Sequence, residues 1–247
     1  MRTAFNGHRL HLRGGSSGYD MKNLPRPFLA ITLCALSTAF IFIVLAWRIP
    51  LAQKKPGHQP ADPHDGDIVF QYSGSMQCAA IAQATRSPYT HCGIVFIEHG
   101  QPMVWEAVGP VLKTPYIEWM KHGVNDHVVI KRLKDAAPLS VEHVAAMKAE
   151  GEMEMGRPYD IRFNMDDDYI YCSELVWKVY ERGAGLRVGT IERFGDMDFS
   201  GAEARRVLKE RFGNAFPADQ EVITPASVFR SPLLYTVDSL NAPPPIP

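Results

Sequence analysis

Apolar and polar positions alternate along this chain with two different periods, and each period predicts one type of element. Apolar runs bounded by turn residues predict strands at 67–72, 89–97, 102–108 and 127–133. Helical periodicity predicts helices at 76–85, 140–155, 202–212 and from Cys172 onward. In this last helix a core-facing stripe is formed by Cys172, Leu175, Val176, Val179 and Tyr180. Gly183 and Gly185 mark its predicted end.

The longest apolar run is 28–47, which contains twenty residues and no charge. This length suffices for a helix to cross a bilayer, and Trp47 to Pro50 form a poor cleavage site. We therefore predict an uncleaved membrane anchor, with a cleaved signal sequence and secretion as the alternative. More basic residues precede the run than follow it closely, which predicts that the remainder lies outside the cytoplasm, in the periplasm or outside the cell.

Composition divides the remaining chain into segments. Residues 1–27 are polar and predicted to be disordered, and 48–65 form a proline-rich linker. A folded domain is predicted at 66–236, followed by a loose proline-rich tail at 237–247.

Overall charge excludes some classes of partner. The chain has 26 basic and 27 acidic residues, and no basic stripe with interleaved aromatic residues, so no nucleic-acid partner is predicted. It contains no phosphate-binding loop and no zinc finger, and its four cysteines form no C-x-x-C pair. We therefore predict neither a cofactor nor a metal.

Cys172 lies where the predicted helix begins. Unpaired backbone N–H groups and the positive end of the helix dipole stabilise an anion in the first turn of a helix. A thiol there has a lowered pKa and becomes a nucleophile when a base is near. A small buried cysteine that only fills the core fits the same local pattern.

The predicted strands supply a base and an acid. If His99 and Gly100 form a two-residue turn, Glu106 lies diagonal to His91 on the same face of the hairpin. A buried carboxylate needs a partner, and one that holds an imidazole nitrogen leaves the other nitrogen free as a base. A register shifted by one residue would put Glu106 on the opposite face.

Together these residues predict acyl transfer by a Cys–His–acid triad. His91 takes the proton of Cys172, the thiolate attacks a carbonyl, and the imidazolium protonates the leaving group. The backbone N–H of Cys172 is one predicted oxyanion donor. Candidates for a further oxyanion or substrate contact are Tyr89, Gln83 and Tyr171.

The order His, Glu, Cys resembles circularly permuted papain-like hydrolases, and more narrowly the YiiX/YaeF-type amidases of the NlpC-related superfamily. The resemblance covers roughly 66–230 and is carried by the segments 66–70, 87–95, 106–111, 156–160, 171–177 and 223–225. It implies an α+β fold, in which an antiparallel sheet or half-barrel packs against the helix of the catalytic cysteine. It also implies a cysteine hydrolase of an amide bond, with Cys172 as nucleophile, His91 as base and Glu106 as the acid that orients His91.

Two other cysteines of the resembling region are interpreted as packing residues. Cys92 follows His91 on the same strand, so its side chain is expected to point away from the His91 face. The same alternation disfavours a metal site built from His91, Cys92, Glu106 and Cys172. Cys78, in the alanine-rich helix, is also expected to pack.

Three functions remain open at this point. The first is an amidase or peptidase that acts on a cell-wall peptide or an amino-acid conjugate. The second is a thiol-dependent acyltransferase or lipid hydrolase, as in the lecithin–retinol acyltransferase-like relatives. The third is a non-catalytic binding module, against which the intact triad counts. An apolar groove beside Cys172 would favour the second function, and charged groups there would favour the first.

Overall fold

The computed structural model describes residues 60–75, 77–135, 137 and 139–247. All of them fall in one compact unit. The predicted disordered segment 1–27, the predicted anchor 28–47 and most of the linker lie outside the described residues. Among the residues described, no helix combines the length and the apolar character needed to cross a membrane.

Antiparallel strands form the centre of the fold. In chain order the strands are β1 (Ile68–Gln71), β2 (His91–Glu98), β3 (Gln101–Ala107), β4 (Val111–Pro115), β5 (Val128–Leu133), β6 (Glu192–Arg193), β7 (Glu221–Val222) and β8 (Leu234–Leu240). The main sheet has six strands in the order β4-β3-β2-β1-β5-β8, and every neighbouring pair in it is antiparallel. Strands β6 and β7 pair separately.

The helices predicted at 76–85, 140–155, 202–212 and from Cys172 onward are present, together with short helices at 116–119 and 225–229. They are α1 (Cys78–Thr85), α2 (Tyr116–Trp119), α3 (Val141–Glu154), α4 (Cys172–Ala184), α5 (Ala202–Phe212) and α6 (Pro225–Phe229). Ser140 caps α3 by accepting a hydrogen bond from the backbone N–H of His143, and Gly185 ends α4 in the left-handed conformation that glycine tolerates. Local capping chemistry therefore sets these helix ends.

The sheet buries both of its faces. One face carries Phe70, Cys92 and Ile94, which share a core with Leu175 and Val179 of α4. The opposite face packs against α2 in a smaller core that contains Val69, Val95, Val104, Tyr116, Trp119, Val128 and Ile130. This arrangement confirms the predicted α+β class, an antiparallel sheet packed against the helix that bears Cys172.

The β2–β3 hairpin has the predicted register. His99 and Gly100 both adopt positive φ angles, as a two-residue turn matched to strand twist requires, and Glu98 pairs with Gln101. The same register pairs Ile94 with Trp105. Glu106 therefore lies diagonal to His91, as the sequence predicts.

The ends of the domain differ from the prediction. The tail predicted at 237–247 begins inside β8, which continues to Leu240 because its backbone pairs with β5. His127 prolongs this attachment, since its Nδ1 lies 3.1 Å from the carbonyl oxygen of Leu240. At the other end Asp65, assigned to the linker, accepts a hydrogen bond from the backbone N–H of Ile97. These contacts widen the folded unit beyond 66–236.

Candidate active site

Cys172 is the first residue of α4 and is 3% exposed. The segment before it is held by backbone pairing, because Ile170 forms a parallel bridge with Tyr159. Glu174 accepts a hydrogen bond from the backbone N–H of Tyr171, the residue that precedes the helix. The thiol therefore lies in a fixed first turn, where the helix dipole favours its ionised form.

His91 and Glu106 make the predicted contact. Nε2 of His91 lies 2.6 Å from Oε2 of Glu106, and both side chains are almost fully buried. Glu106 also accepts hydrogen bonds from the hydroxyl of Thr114 and from Nε1 of Trp119. The carboxylate thus has donors on both oxygens and holds one imidazole nitrogen, which leaves Nδ1 of His91 for the thiol.

Electrostatics favour a thiolate–imidazolium pair. Burial lowers the pKa of His91, but hydrogen bonds with Cys172 and Glu106 outweigh burial and raise this pKa to about 10. A hydrogen bond from Cys92 lowers the pKa of Cys172, burial opposes it, and the interaction with His91 lowers it further, to a value well below that of an ordinary thiol. Both shifts favour the form of the pair in which Cys172 is negative and His91 is positive near neutral pH.

Cys92 lies on the expected face of the sheet and also interacts with Cys172. It is fully buried, its side chain hydrogen-bonds Cys172, and burial is the largest reason why its own pKa is raised well above the ordinary value. Strand alternation does turn Cys92 away from Glu106, but it turns it toward the face on which α4 packs. His91 reaches the same thiol because it is the first residue of β2. Cys92 therefore packs in the core as predicted, and its interaction with Cys172 is an addition to that role.

Tyr159 also contacts the thiol, and the sequence did not single it out as a site residue. Burial and the interactions with Cys172, which include a side-chain hydrogen bond, raise the pKa of Tyr159 well above its ordinary value. A neutral phenol beside a thiolate is a hydrogen-bond donor. In the sequence, Tyr159 stands out only as a member of the segment 156–160, which carries part of the family resemblance. No local pattern indicates that this segment pairs with the residues before α4.

The other sequence-predicted candidates have different partners. Tyr89 stacks on Phe229, with 3.9 Å between ring centroids. Gln83 accepts a hydrogen bond from the backbone N–H of Ala204 and donates one to the carbonyl oxygen of Pro247. The hydroxyl of Tyr171 donates to the sulfur of Met165 and accepts from the backbone N–H of Ile223. Of these three residues, Tyr171 lines the same pocket as Cys172.

A pocket with a cavity volume of about 80 Å³ opens beside Cys172. Its walls come from α1, α5, the segment 194–199 and the start of α4. The side chains of these walls are mostly apolar and include Ala80, Ile81, Ala84, Phe194, Met197, Phe199, Val207, Leu208 and Phe212. Tyr159 lines the same pocket, so the nucleophile and its phenol neighbour face a space suited to hydrocarbon.

These observations define the class of the protein as a papain-like cysteine hydrolase, since a thiol at a helix N-terminus faces an imidazole that a carboxylate holds. The chain belongs to the family described as "Permuted papain-like amidase enzyme, YaeF/YiiX, C92 family", whose model matches residues 62–238. This match confirms the resemblance that the motifs indicated.

Two relatives from Escherichia coli support this assignment. The chain is 41% identical over 175 residues to "Uncharacterized protein YiiX" of strain K12, and the match covers 71% of this chain and 86% of the relative. It is also similar to a structure described as "Crystal structure of metalloprotein yiiX from Escherichia coli O157:H7, DUF1105". The TM-score is 0.68 at 41% identity, over 71% of this chain and 97% of that one.

Proposed function

We propose that this protein is a cysteine amidase that hydrolyses the amide bond of an acyl chain bound in the apolar pocket. The observation that carries this proposal is the position of Cys172 on the wall of that pocket, next to His91. Apolar walls favour a hydrocarbon chain over a charged cell-wall peptide. The family match supports cysteine-hydrolase chemistry in general.

The chemistry proceeds in two stages. The Cys172 thiolate attacks the amide carbonyl, and the backbone N–H of Cys172 donates to the resulting oxyanion, with the Tyr159 hydroxyl as a second donor. His91 then gives its proton to the amine as the C–N bond breaks, which leaves a thioester on Cys172. Water loses a proton to His91 and attacks the thioester, releasing the carboxylic acid and the thiol. Glu106 keeps the His91 ring in place throughout.

Acyl transfer is the second candidate, and the same apolar pocket favours it. An amine or alcohol would then replace water in the second stage. Mass analysis of the products, with and without an added amine, separates the two: a hydrolase releases mainly free acid when the amine is at millimolar concentration.

The Escherichia coli O157:H7 structure is described as that of a metalloprotein. In the part of this chain that the structure describes, no group of three or more His, Cys, Asp or Glu side chains is arranged to hold a metal ion. The oxygens of Glu106 already accept hydrogen bonds from His91, Thr114 and Trp119. These residues therefore do not fit a metal centre, and the proposed steps use the side chains alone.

The proposal also retains the location predicted from residues 28–47, with the hydrolase domain outside the cytoplasm. Protease digestion of intact spheroplasts tests this location, because a cytoplasmic domain would be protected.

The function is tested with p-nitroanilides of acetic, hexanoic and dodecanoic acid, compared with peptidoglycan fragments. We expect kcat/KM to rise with chain length, since each buried methylene contributes about 0.8 kcal/mol, or roughly fourfold. Cys172→Ala should abolish turnover, and Glu106→Gln should reduce kcat roughly 10²–10⁴-fold. Cleavage of peptidoglycan fragments alone, without dependence on acyl length, would contradict the proposal.

A further inference from the structure

One charged side chain interrupts the apolar lining of the pocket. Of the lining residues in the described part of the chain, Arg211 alone carries a charge at neutral pH besides the active-site thiolate. It lies near the end of α5, and its guanidinium stands over the ring of Phe163, 5.1 Å from the centroid. An arginine in such surroundings is partly stripped of water.

The direct contacts of Arg211 are with neutral groups. Its guanidinium donates to the carbonyl oxygen of Ile161 at 2.7 Å and to the side-chain oxygen of Gln77. Asp160 and Glu210 act on it only at longer Coulombic range, and none of the ion pairs within 4.0 Å among the described residues includes it. Burial is the largest influence on this group and lowers its pKa. The positive charge is therefore incompletely compensated by the protein itself.

Arg211 also lines the same pocket as Cys172 and Tyr159. Tyr159 interacts electrostatically with both Arg211 and Cys172, and it hydrogen-bonds the latter. A substrate whose carbonyl carbon lies at Cys172 therefore shares this pocket with the guanidinium of Arg211. Guanidinium groups bind carboxylate and phosphate through paired, charge-assisted hydrogen bonds.

We infer that Arg211 binds an anionic group, a carboxylate or a phosphate, close to the amide that is cleaved. This inference rests on the proposed function and narrows its substrates to acyl amides that carry an anion next to the amide nitrogen. The hydrocarbon chain fills the apolar part of the pocket, and Arg211 determines the specificity for the anion. The two contacts with Ile161 and Gln77 hold the guanidinium in place for it.

Binding is measured first, with the full-length Cys172→Ala protein so that no turnover occurs. Calorimetric titration compares N-dodecanoylglycine with neutral N-dodecanoylglycinamide, and N-dodecanoyl-phosphoethanolamine with neutral N-dodecanoylethanolamine, below their micellar concentrations. We expect the anionic member of one pair to bind roughly 10–100-fold more tightly, the range for hydrogen bonds to a charged group. The pair with the larger ratio identifies carboxylate or phosphate as the natural anion.

Arg211→Gln added to Cys172→Ala should bring both affinity ratios close to one, while Arg211→Lys should retain part of the preference. Arg206→Gln is the matched control, because Arg206 lies on the same helix but pairs with Glu203 and Glu210 on the surface. If Arg211 served only to hold Ile161 and Gln77 together, Arg211→Gln would lower the melting temperature and leave the affinity ratios unchanged. That result, or equal affinities in the parent protein, would overturn the inference.

Turnover by the protein with Cys172 intact separates this inference from the proposed function. Anion preference in binding without hydrolysis of any of the four amides would support the role of Arg211 and count against the amidase. Equal hydrolysis of anionic and neutral amides would support the amidase and overturn the role of Arg211.

Discussion

At the scale of single residues, the thiol of Cys172 is the centre of a small set of polar contacts. His91 supplies a positive charge, Cys92 a thiol hydrogen and Tyr159 a hydroxyl hydrogen. The first interaction stabilises the thiolate by charge, and the other two stabilise it by hydrogen bonding. Glu106 acts only through His91, since its oxygens contact His91, Thr114 and Trp119. Burial alone would raise the thiol pKa, so these contacts determine the ionisation of Cys172.

The pH dependence of alkylation tests this balance. Because the pKa of Cys172 is depressed and that of His91 is raised to about 10, the thiolate is present throughout the neutral range. Iodoacetamide should therefore label Cys172 at a rate that is nearly constant between about pH 6.5 and 8.5, whereas the labelling rate of an ordinary thiol with a pKa of about 8.5 rises steeply over this range. In His91→Ala the rate at pH 7 should fall at least about tenfold and then rise with pH, because only burial and neutral donors remain.

In Cys92→Ala the alkylation rate of Cys172 at pH 7 should also fall, but by less than in His91→Ala, since only one hydrogen-bond donor to the thiolate is removed. Cys78→Ala is the control, because the partners of Cys78 are the hydroxyls of Ser73, Ser75 and Thr90. Mass spectrometry assigns the label to each cysteine. An alkylation profile of His91→Ala that matches the parent would show that the imidazole does not activate the thiol.

At the scale of elements, the position of α4 depends on its close contact with α3. Gly183 of α4 faces the backbone of Met147 on α3, and an added Cβ would lie 2.5 Å from its Cα and 2.6 Å from its nitrogen. Backbone atoms cannot move aside as a flexible side chain can. The two helices therefore approach closely only because residue 183 has no side chain.

Gly183→Ala tests this contact. In an open helical position this change would stabilise the protein by about 1 kcal/mol, the difference in helix propensity. Here we expect a loss of about 2 kcal/mol or more in the free energy of unfolding, because α4 must shift away from α3. Urea unfolding measures this change in the free energy of unfolding.

Ala146→Gly, at an exposed position of α3, is the control and should cost only about 1 kcal/mol. Stabilisation by Gly183→Ala would show that the helices can separate freely.

At the scale of the whole molecule, the pocket is built by elements that are distant in the sequence. Helices α1 and α5 form much of its walls, and α4 adds Cys172 to the lining. The backbone N–H of Ala204 donates to Gln83, which ties α5 to α1. The volume beside Cys172 therefore depends on how these helices pack rather than on any one motif.

Filling the pocket from α1 should change the preferred acyl length. We expect Ala84→Phe to lower kcat/KM for dodecanoyl p-nitroanilide roughly 10–100-fold, because two or more terminal methylenes lose their buried site. The hexanoyl substrate should be much less affected. Ala84→Ser, which adds little volume, serves as the control. An equal loss for both chain lengths would mean that the acyl chain does not extend toward α1.

Local patterns by themselves determined most of the secondary structure and the pair formed by His91 and Glu106. Strand and helix periods, the glycine that ends the Cys172 helix, and the turn at His99 and Gly100 act over a few residues, so they can be read directly. The hairpin register follows from its turn, and with it the diagonal contact between strands. The motif order His, Glu, Cys indicated the family.

Only the tertiary structure decided which other groups meet the thiol and what kind of pocket surrounds it. Strand alternation assigns Cys92 to a face of the sheet, but it does not reveal that α4 packs on that face. Tyr159 arrives through a bridge with Ile170, and Arg211 arrives on a helix from another part of the chain. Contacts between distant segments depend on packing of the whole core, which no short-range pattern encodes. Sequence therefore predicted the proposed nucleophile, Cys172, and packing placed it beside an apolar pocket whose lining, among the described residues, includes one arginine.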